Sequence, residues 1–371
     1  MTLLSPPPMP GTSGTGVNPS HPDGADDQPR TVGRLTQDDI ASLVAAFVGS
    51  LALTWLVYFQ LLPLSGKVGF LFCWYAAFLA VYGLVSSFGN PRPVVVDRLW
   101  GAAVAGAAGV VFFAVLSVAI YTLVKGEGAW IHGNFWTHDM AGVGPTETLT
   151  HGGITHAVAG SLIELAIATA VSLPLGIGTA IYMVEIGGRF STVVRTVVEA
   201  MTALPDILAG LFIYTVLQLG LGFQRNGFCA AMALSIMMLP IIARSADVSL
   251  RVVAGGLREA SLALGASRWA TVWRVVLPTA RSGLATAVIL GLARAVGETA
   301  PVLITSGAST FFNTNPLKNP MNSLPLFIFS SVRSGEPTYI TRGFGAASVL
   351  LVLVVVLFIA ARLLSREKTK R

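Results

Sequence analysis

Charge is what this sequence has least of. Asp, Glu, Lys and Arg make up 11% of the 371 residues, against 53% hydrophobic ones, and the mean hydropathy is +0.71. Soluble domains carry about 25% charged residues, so this composition cannot cover a water-exposed globule and reads as an integral membrane protein. Cysteine is nearly absent: Cys73 and Cys229 both lie inside apolar runs, which excludes a disulfide framework and a thiolate metal site. A nucleotide-binding P-loop is missing as well. The Gly66-Lys67 dipeptide has Leu61 where that motif needs its first glycine and Val68 where Ser or Thr would hold magnesium, so any ATP-driven work requires a separate ATPase.

The hydrophobic content lies in eight runs long enough to cross a bilayer, at 41–64, 68–88, 100–124, 156–184, 205–223, 228–243, 282–305 and 343–361, the sixth being the shortest. With both termini cytoplasmic, 17 Lys and Arg fall on cytoplasmic segments (Arg30, Arg34, Arg92, Arg98, Arg189, Arg195, six between 244 and 281, five between 362 and 371) and 6 on external ones. The positive-inside rule selects that orientation, and the net charge of +6 then reports topology rather than a nucleic-acid partner. The chain divides into a Pro-, Gly- and Ser-rich cytoplasmic tail (1–34), three N-terminal spans (41–124), an external loop (125–155), a five-span core (156–361) and a basic tail (362–371) that acts as a stop-transfer end. The first tail holds too few apolar residues to offset its chain entropy and is expected to be disordered. The run beginning near residue 41 is followed by further spans, which sets it apart from a cleavable signal.

A polar island, EASLALGASRWATVWRVVLP at 259–278, interrupts the core. Leu257, Ala260, Ser261 and Leu264 fall at i, i+3, i+4 and i+7; Gly265 lets the chain leave the helix; Trp269, Val272, Trp273 and Val276 repeat the stripe. The pattern predicts a helical hairpin over 255–278, with Arg258, Arg268 and Arg274 off the stripes. Each half is too short to be stable alone in water, so the hairpin needs a partner; the plainer alternative is an amphipathic surface hairpin. A DNA-reading helix-turn-helix would share the arginines, but the flanking spans leave no room for a duplex.

The run 282–305 holds Arg294 and Glu298 with no other charge. Each costs on the order of 2.5–3.5 kcal/mol at the bilayer centre on insertion scales, so the two should face each other, a pore or a partner subunit. Their i, i+4 spacing puts them on one helical face, in the order that stabilises an isolated helix less. Gly291 and Gly297 allow a neighbouring backbone to approach, and Pro301 predicts a bend. A structural ion pair bridging helices is the competing reading. Of the other intramembrane acids, Glu164 is expected to face a partner subunit, and Asp206, just after Pro205, to cap a helix near the cytoplasmic interface. Arg244 and Arg251 read as positive-inside anchors. His132, His138, His151 and His156, with Asp139 and Glu147, share one loop, but their spacing fits no compact ligand pair, which leaves a polar external loop.

The island resembles the cytoplasmic EAA loop of ABC importer permeases, E-A-A-x3-G-x9-I-x-L-P: Glu259, Ala260, Ser261, Gly265, Val275, Leu277 and Pro278 occupy its positions, with Ser261 and Val275 as departures. The string LARAVGETAP (292–301), the following NPLKNPMNSLPLFIF (315–329), NFWT (134–137) and GGITHAVAGSL (152–162) resemble the A-type membrane subunit of bacterial phosphate-specific ABC transporters. The likeness covers about 132–361. It implies an all-α polytopic helical bundle with a type I ABC importer permease core, to which extra N-terminal spans have been added, since the family usually has one span before the external loop. It further implies Arg294 and Glu298 as phosphate-pathway charges and Glu259, Ala260, Ser261, Gly265, Leu277 and Pro278 as the ATPase-coupling segment. The implied partners are two copies of an ABC ATPase that binds ATP and magnesium, a homologous second permease, an extracellular phosphate-binding protein and phosphate itself. No cofactor or metal is expected on this chain, no nucleic acid, and no catalysis of its own. A permease for sulfate or molybdate stays open as an alternative. A proton-coupled secondary transporter would account for the membrane carboxylates and Arg294 but not for the island, and a membrane-embedded enzyme lacks a clustered nucleophile and base.

Overall fold

Long apolar runs leave the backbone no partner but itself, and helices are the local solution. The computed structural model describes residues 37–62 and 65–365; the tail 1–34 and the end of the basic tail lie outside them. All regular structure among the described residues is helical. The chain forms two compact units, one up to Phe112 and one from Phe113 onward.

In the first unit α1 (Gln37–Trp55) runs on through a wide π-helical turn, Leu56–Leu61, and is followed by α2 (Lys67–Ser87) and the start of α3 (Arg92–Trp130). Aromatic rings pack α1 against α2: Phe47 meets Trp74 edge-on at 5.1 Å, and Tyr58 meets Phe70 at 5.6 Å while its hydroxyl donates to the Gly66 carbonyl at 2.9 Å. The Tyr75 hydroxyl lies 3.2 Å from the carbonyls of both Ala102 and Ala103 on α3.

The second unit is organised around α8 (Gly227–Arg251), whose apolar window is 67% buried where every other candidate span reaches 28% or less. Asn226 caps it, accepting from the Cys229 N–H at 2.9 Å. Two glycines admit the flanking helices α5 (Thr155–Ile181) and α11 (Leu277–Val296): a Cβ on Gly176 would lie 2.8 Å from Ile242 and one on Gly291 2.7 Å from it. Gly297 has no such neighbour within 4 Å; its place is in the break that ends α11, not in a close helix contact.

Seven helices are long and apolar enough to cross a membrane, with an eighth candidate bent by 103° between α6 (Arg189–Thr202) and α7 (Asp206–Ile213), the latter extended by a π-helical turn to Gly220. Several boundaries differ from the sequence reading; α8, for one, runs on to Arg251. Helix α3 continues to Trp130, so the first residues of the supposed external loop are helical. The span placed at 282–305 is displaced: its helix begins at Arg268, as α10 (Arg268–Thr271) and a π-helical turn, Val272–Val276, that merge into α11, and it stops at Val296. The residues from Ala300 to Thr305 form a separate short helix, α12, in which Pro301 sits at the tolerated start.

The loop between α3 and α5 is tied down at both sides. After the short α4 (Gly133–Thr137), it rests on α14 (Pro337–Ser365), where buried Arg342 donates through Nη2 to the carbonyls of Thr148 at 2.8 Å and His151 at 2.9 Å. Its other anchor is Asp139, which accepts from the backbone N–H of Phe312 at 2.8 Å and of Ala141 at 3.1 Å. Burial raises that carboxyl's pKa, but the Phe312 and Ala141 N–H donors, the charge of His156 and the residue's own N–H together outweigh it and hold the pKa below the usual value.

Candidate substrate path and coupling segment

Arg294 occupies the last turn of α11, three residues before the helix gives way at Gly297. Its Nε lies 3.0 Å from Glu298 Oε1, so the two charges that the spacing placed on one face do meet. The unfavourable order matters little because Glu298 lies beyond the end of the helix. A third charge joins them: Nη2 of Arg294 donates to Asp206 Oδ2. Sequence reasoning gave Asp206 a capping role, whereas its carboxylate turns to the guanidinium and the helix start is left without a side-chain cap. Nothing in the sequence links positions 88 apart; the available signal was that two intramembrane charges of opposite sign each need a partner.

Two spaces adjoin the triad. A cavity of about 370 Å³ is lined by Thr202, Pro205, Asp206, Met237, Pro240 and Arg294. Glu298 instead borders a void of about 20 Å³ with Ser161, Glu164 and Ser323, which is room for about one water molecule. Glu164 is 1% exposed and accepts from the Ser306 hydroxyl at 2.8 Å. It therefore points into its own chain, and the expectation that it faces a partner subunit is corrected. A buried carboxyl needs polar neighbours, and those lie in the segment after α12.

The polar island forms α9 (Gly255–Ala263), a turn at Gly265, and then α10. Gly265 adopts φ +83°, a left-handed backbone that a side chain would strain. Glu259 and Ala260 are exposed, and Leu264 is 90% exposed at the tip. Ser261 is turned inward, its hydroxyl 2.9 Å from that of Thr271, which joins the two arms. The second stripe divides: Val272 and Val276 are buried while Trp269 and Trp273 are exposed, their rings 5.7 Å apart. Leu277 and Pro278 fall within the continuous helix, so the second arm is the start of a span and not a free-standing half-hairpin.

Arg258 does more than lie off the stripe. It donates from Nη1 to the Val253 carbonyl at 2.7 Å, from Nη2 to the Leu250 carbonyl at 2.8 Å and from Nε to Glu185 Oε1 at 3.0 Å. It thereby fastens α9 to the C-terminal end of α8 and to the π-helical turn Tyr182–Ile186 that follows α5. Beside it Asp247 receives both Nη atoms of Arg195 at 3.1 Å and Nε of Arg251 at 3.2 Å, so Arg251 pairs with an acid rather than serving only as an anchor. The loop histidines do not converge. His156 is buried in α5, edge-on to Phe327 at 5.3 Å, and among the described residues no three His, Cys, Asp or Glu are grouped to hold a metal.

Known proteins resemble this chain in sequence or in fold. Residues 172–370 match the family described as binding-protein-dependent transport system inner membrane component. The chain is 38% identical over 269 residues to phosphate transport system permease protein PstA 1 of Mycobacterium tuberculosis (strain ATCC 25618 / H37Rv), covering 70% of this chain and 87% of that one. It is 36% identical over 220 residues to phosphate transport system permease protein PstA of Xylella fastidiosa (strain Temecula1 / ATCC 700964), covering 58% and 76%. Among solved structures, that of a bacterial alginate ABC transporter in complex with alginate pentasaccharide-bound periplasmic protein aligns with a TM-score of 0.54 at 15% identity, over 76% of this chain and 99% of that one; this likeness concerns the fold. With a match across more than half its length and relatives covered over most of theirs, the chain belongs to the family of binding-protein-dependent transport system inner membrane components.

Proposed function

We propose that this chain is one of two homologous permease subunits of an ATP-driven importer of inorganic phosphate in the bacterial cytoplasmic membrane. Two copies of a separate ATPase, which bind ATP and magnesium, work from the cytoplasmic side, and an extracellular phosphate-binding protein delivers the anion. The observation that carries this reading is Arg294, a guanidinium at the end of an apolar helix that is 48% exposed beside a cavity of about 370 Å³. A guanidinium keeps its charge when desolvated and presents a planar fork that matches a tetrahedral oxyanion. The names of the relatives support phosphate as that anion, and Glu298 keeps the arginine from holding it too tightly. The exposed Glu259, Leu264, Trp269 and Trp273 support the island as the surface that receives the ATPase. The distribution of Lys and Arg supports cytoplasmic termini.

The test is phosphate uptake into proteoliposomes with the partner ATPase and binding protein. Arg294→Lys is expected to reduce uptake about tenfold, the loss of one charge-assisted hydrogen bond, and Arg294→Gln further. A triple change to Asp206→Asn, Arg294→Gln and Glu298→Gln removes every charge of the triad. Recovery of uptake in the triple variant would show a purely structural ion pair and overturn the reading.

A further inference from the structure

We propose that Asp206 is the resident stand-in for the transported anion: its carboxylate occupies Arg294 when no substrate is there, and the anion reaches the guanidinium by displacing it. The proposal rests on Arg294 being the anion contact. It starts from the charge count of the triad, two carboxylates on one guanidinium, formally −1. An approaching oxyanion is repelled by that arrangement, so one carboxylate has to leave before the arginine can accept a substrate.

The structure identifies which one. Glu298 is 14% exposed, lies four residues from Arg294 on the same segment, and borders the small void with Glu164 and Ser323. Asp206 is 34% exposed, comes from a different helix and opens onto the large cavity. It can withdraw into space that Glu298 lacks.

The placement of the two charges on different helices lets the pair part. Helix α7 packs on α12 and on α8: a Cβ on Gly210 would lie 2.7 Å from Pro301 Cα, and Gln218 Nε2, in the turn that extends α7, donates to the Thr305 carbonyl at 2.6 Å. Asp206 is therefore held on a different helix from Arg294, which belongs to α11. The pair parts when the Asp206 side chain rotates into the cavity that both residues line, a change that leaves the packing of α7 on α12 and α8 in place. An intramolecular competitor also lowers the apparent affinity of the site by the fraction of time that it occupies the arginine, which favours release over retention.

The experiment is equilibrium binding of radiolabelled inorganic phosphate to the purified permease–ATPase complex without the extracellular binding protein. Asp206→Asn and Asp206→Ser should each bind phosphate at least threefold more tightly than the native complex, and Asp206→Glu should stay near native. Unchanged or weaker binding in both neutral variants, in complexes that remain assembled by size-exclusion chromatography, overturns the proposal; should one variant fail to assemble, the other decides. Arg294→Lys separates the two layers. If it binds phosphate as the native complex does, the anion contact itself is refuted. If it loses binding while the Asp206 variants gain nothing, displacement alone is refuted.

Discussion

Replacing Arg258 by Ala removes the fastening between α9 and the body of the second unit, and its effect follows from the contacts. Two hydrogen bonds from a charged donor to the carbonyls of Leu250 and Val253 are lost; taken at the low end for such bonds they contribute roughly 1.5 kcal/mol each, or about 3 kcal/mol together. The ion pair to Glu185 adds less, about 0.5 kcal/mol, because the arginine is 21% exposed and solvent screens it. A loss of about 3 kcal/mol raises the open population of α9 by roughly 100-fold. Hydrogen exchange on the protein in nanodiscs reads this directly: amides of 255–263 should exchange about two orders of magnitude faster, while those of α8 around Ile242 keep their protection. Arg258→Lys should fall between, since an ammonium cannot span three acceptors. Unchanged exchange in α9 with α8 intact would refute the assignment. Faster exchange throughout α8 would show instead that Arg258 holds the global fold.

The glycine contacts around Ile242 give a second expectation: Gly291→Ala should lower thermal stability in detergent by about 1–3 kcal/mol through overpacking, and Ile242→Ala in the same chain should recover part of it. Equal stability of Gly291→Ala and the native protein would mean that the helices are not in that contact. The topology is checked by single cysteines at Asn319 and Ser365 in a background without Cys73 and Cys229, labelled with an impermeant reagent on spheroplasts; only position 319 should react, and labelling at 365 would reverse the assigned orientation.

The membrane character, the helical fold and the meeting of Arg294 with Glu298 were legible because each depends on local sequence: length of apolar runs, scarcity of charge, and a four-residue interval. What was hidden depends on pairing across the chain. Asp206 looked like a cap because only the bend at 203–205 brings it to Arg294. Glu164 looked outward because Ser306, its partner, lies 142 residues away. Arg258 showed only as a charge off the stripes because its acceptors are backbone carbonyls that any residues could supply. Span boundaries slipped for another reason. Hydropathy weighs side chains and not hydrogen bonds, so a helix that starts in a polar segment at Arg268, and one that stops in an apolar segment at Val296, both escape it.

The wide turn Val272–Val276 has a consequence for how sequences of this kind are compared. Such a turn holds one residue more than an α-helical turn, so a relative that lacks that residue can close the helix normally with no break in the chain. The cost of the deletion is phase: everything before it rotates by about 100° relative to everything after. Trp269 would then be aimed elsewhere while Gly291 still faced Ile242. An alignment gap at this point therefore marks a rotation of the exposed tip against the membrane helix, and two chains that differ by a single residue here present different surfaces from the same motif.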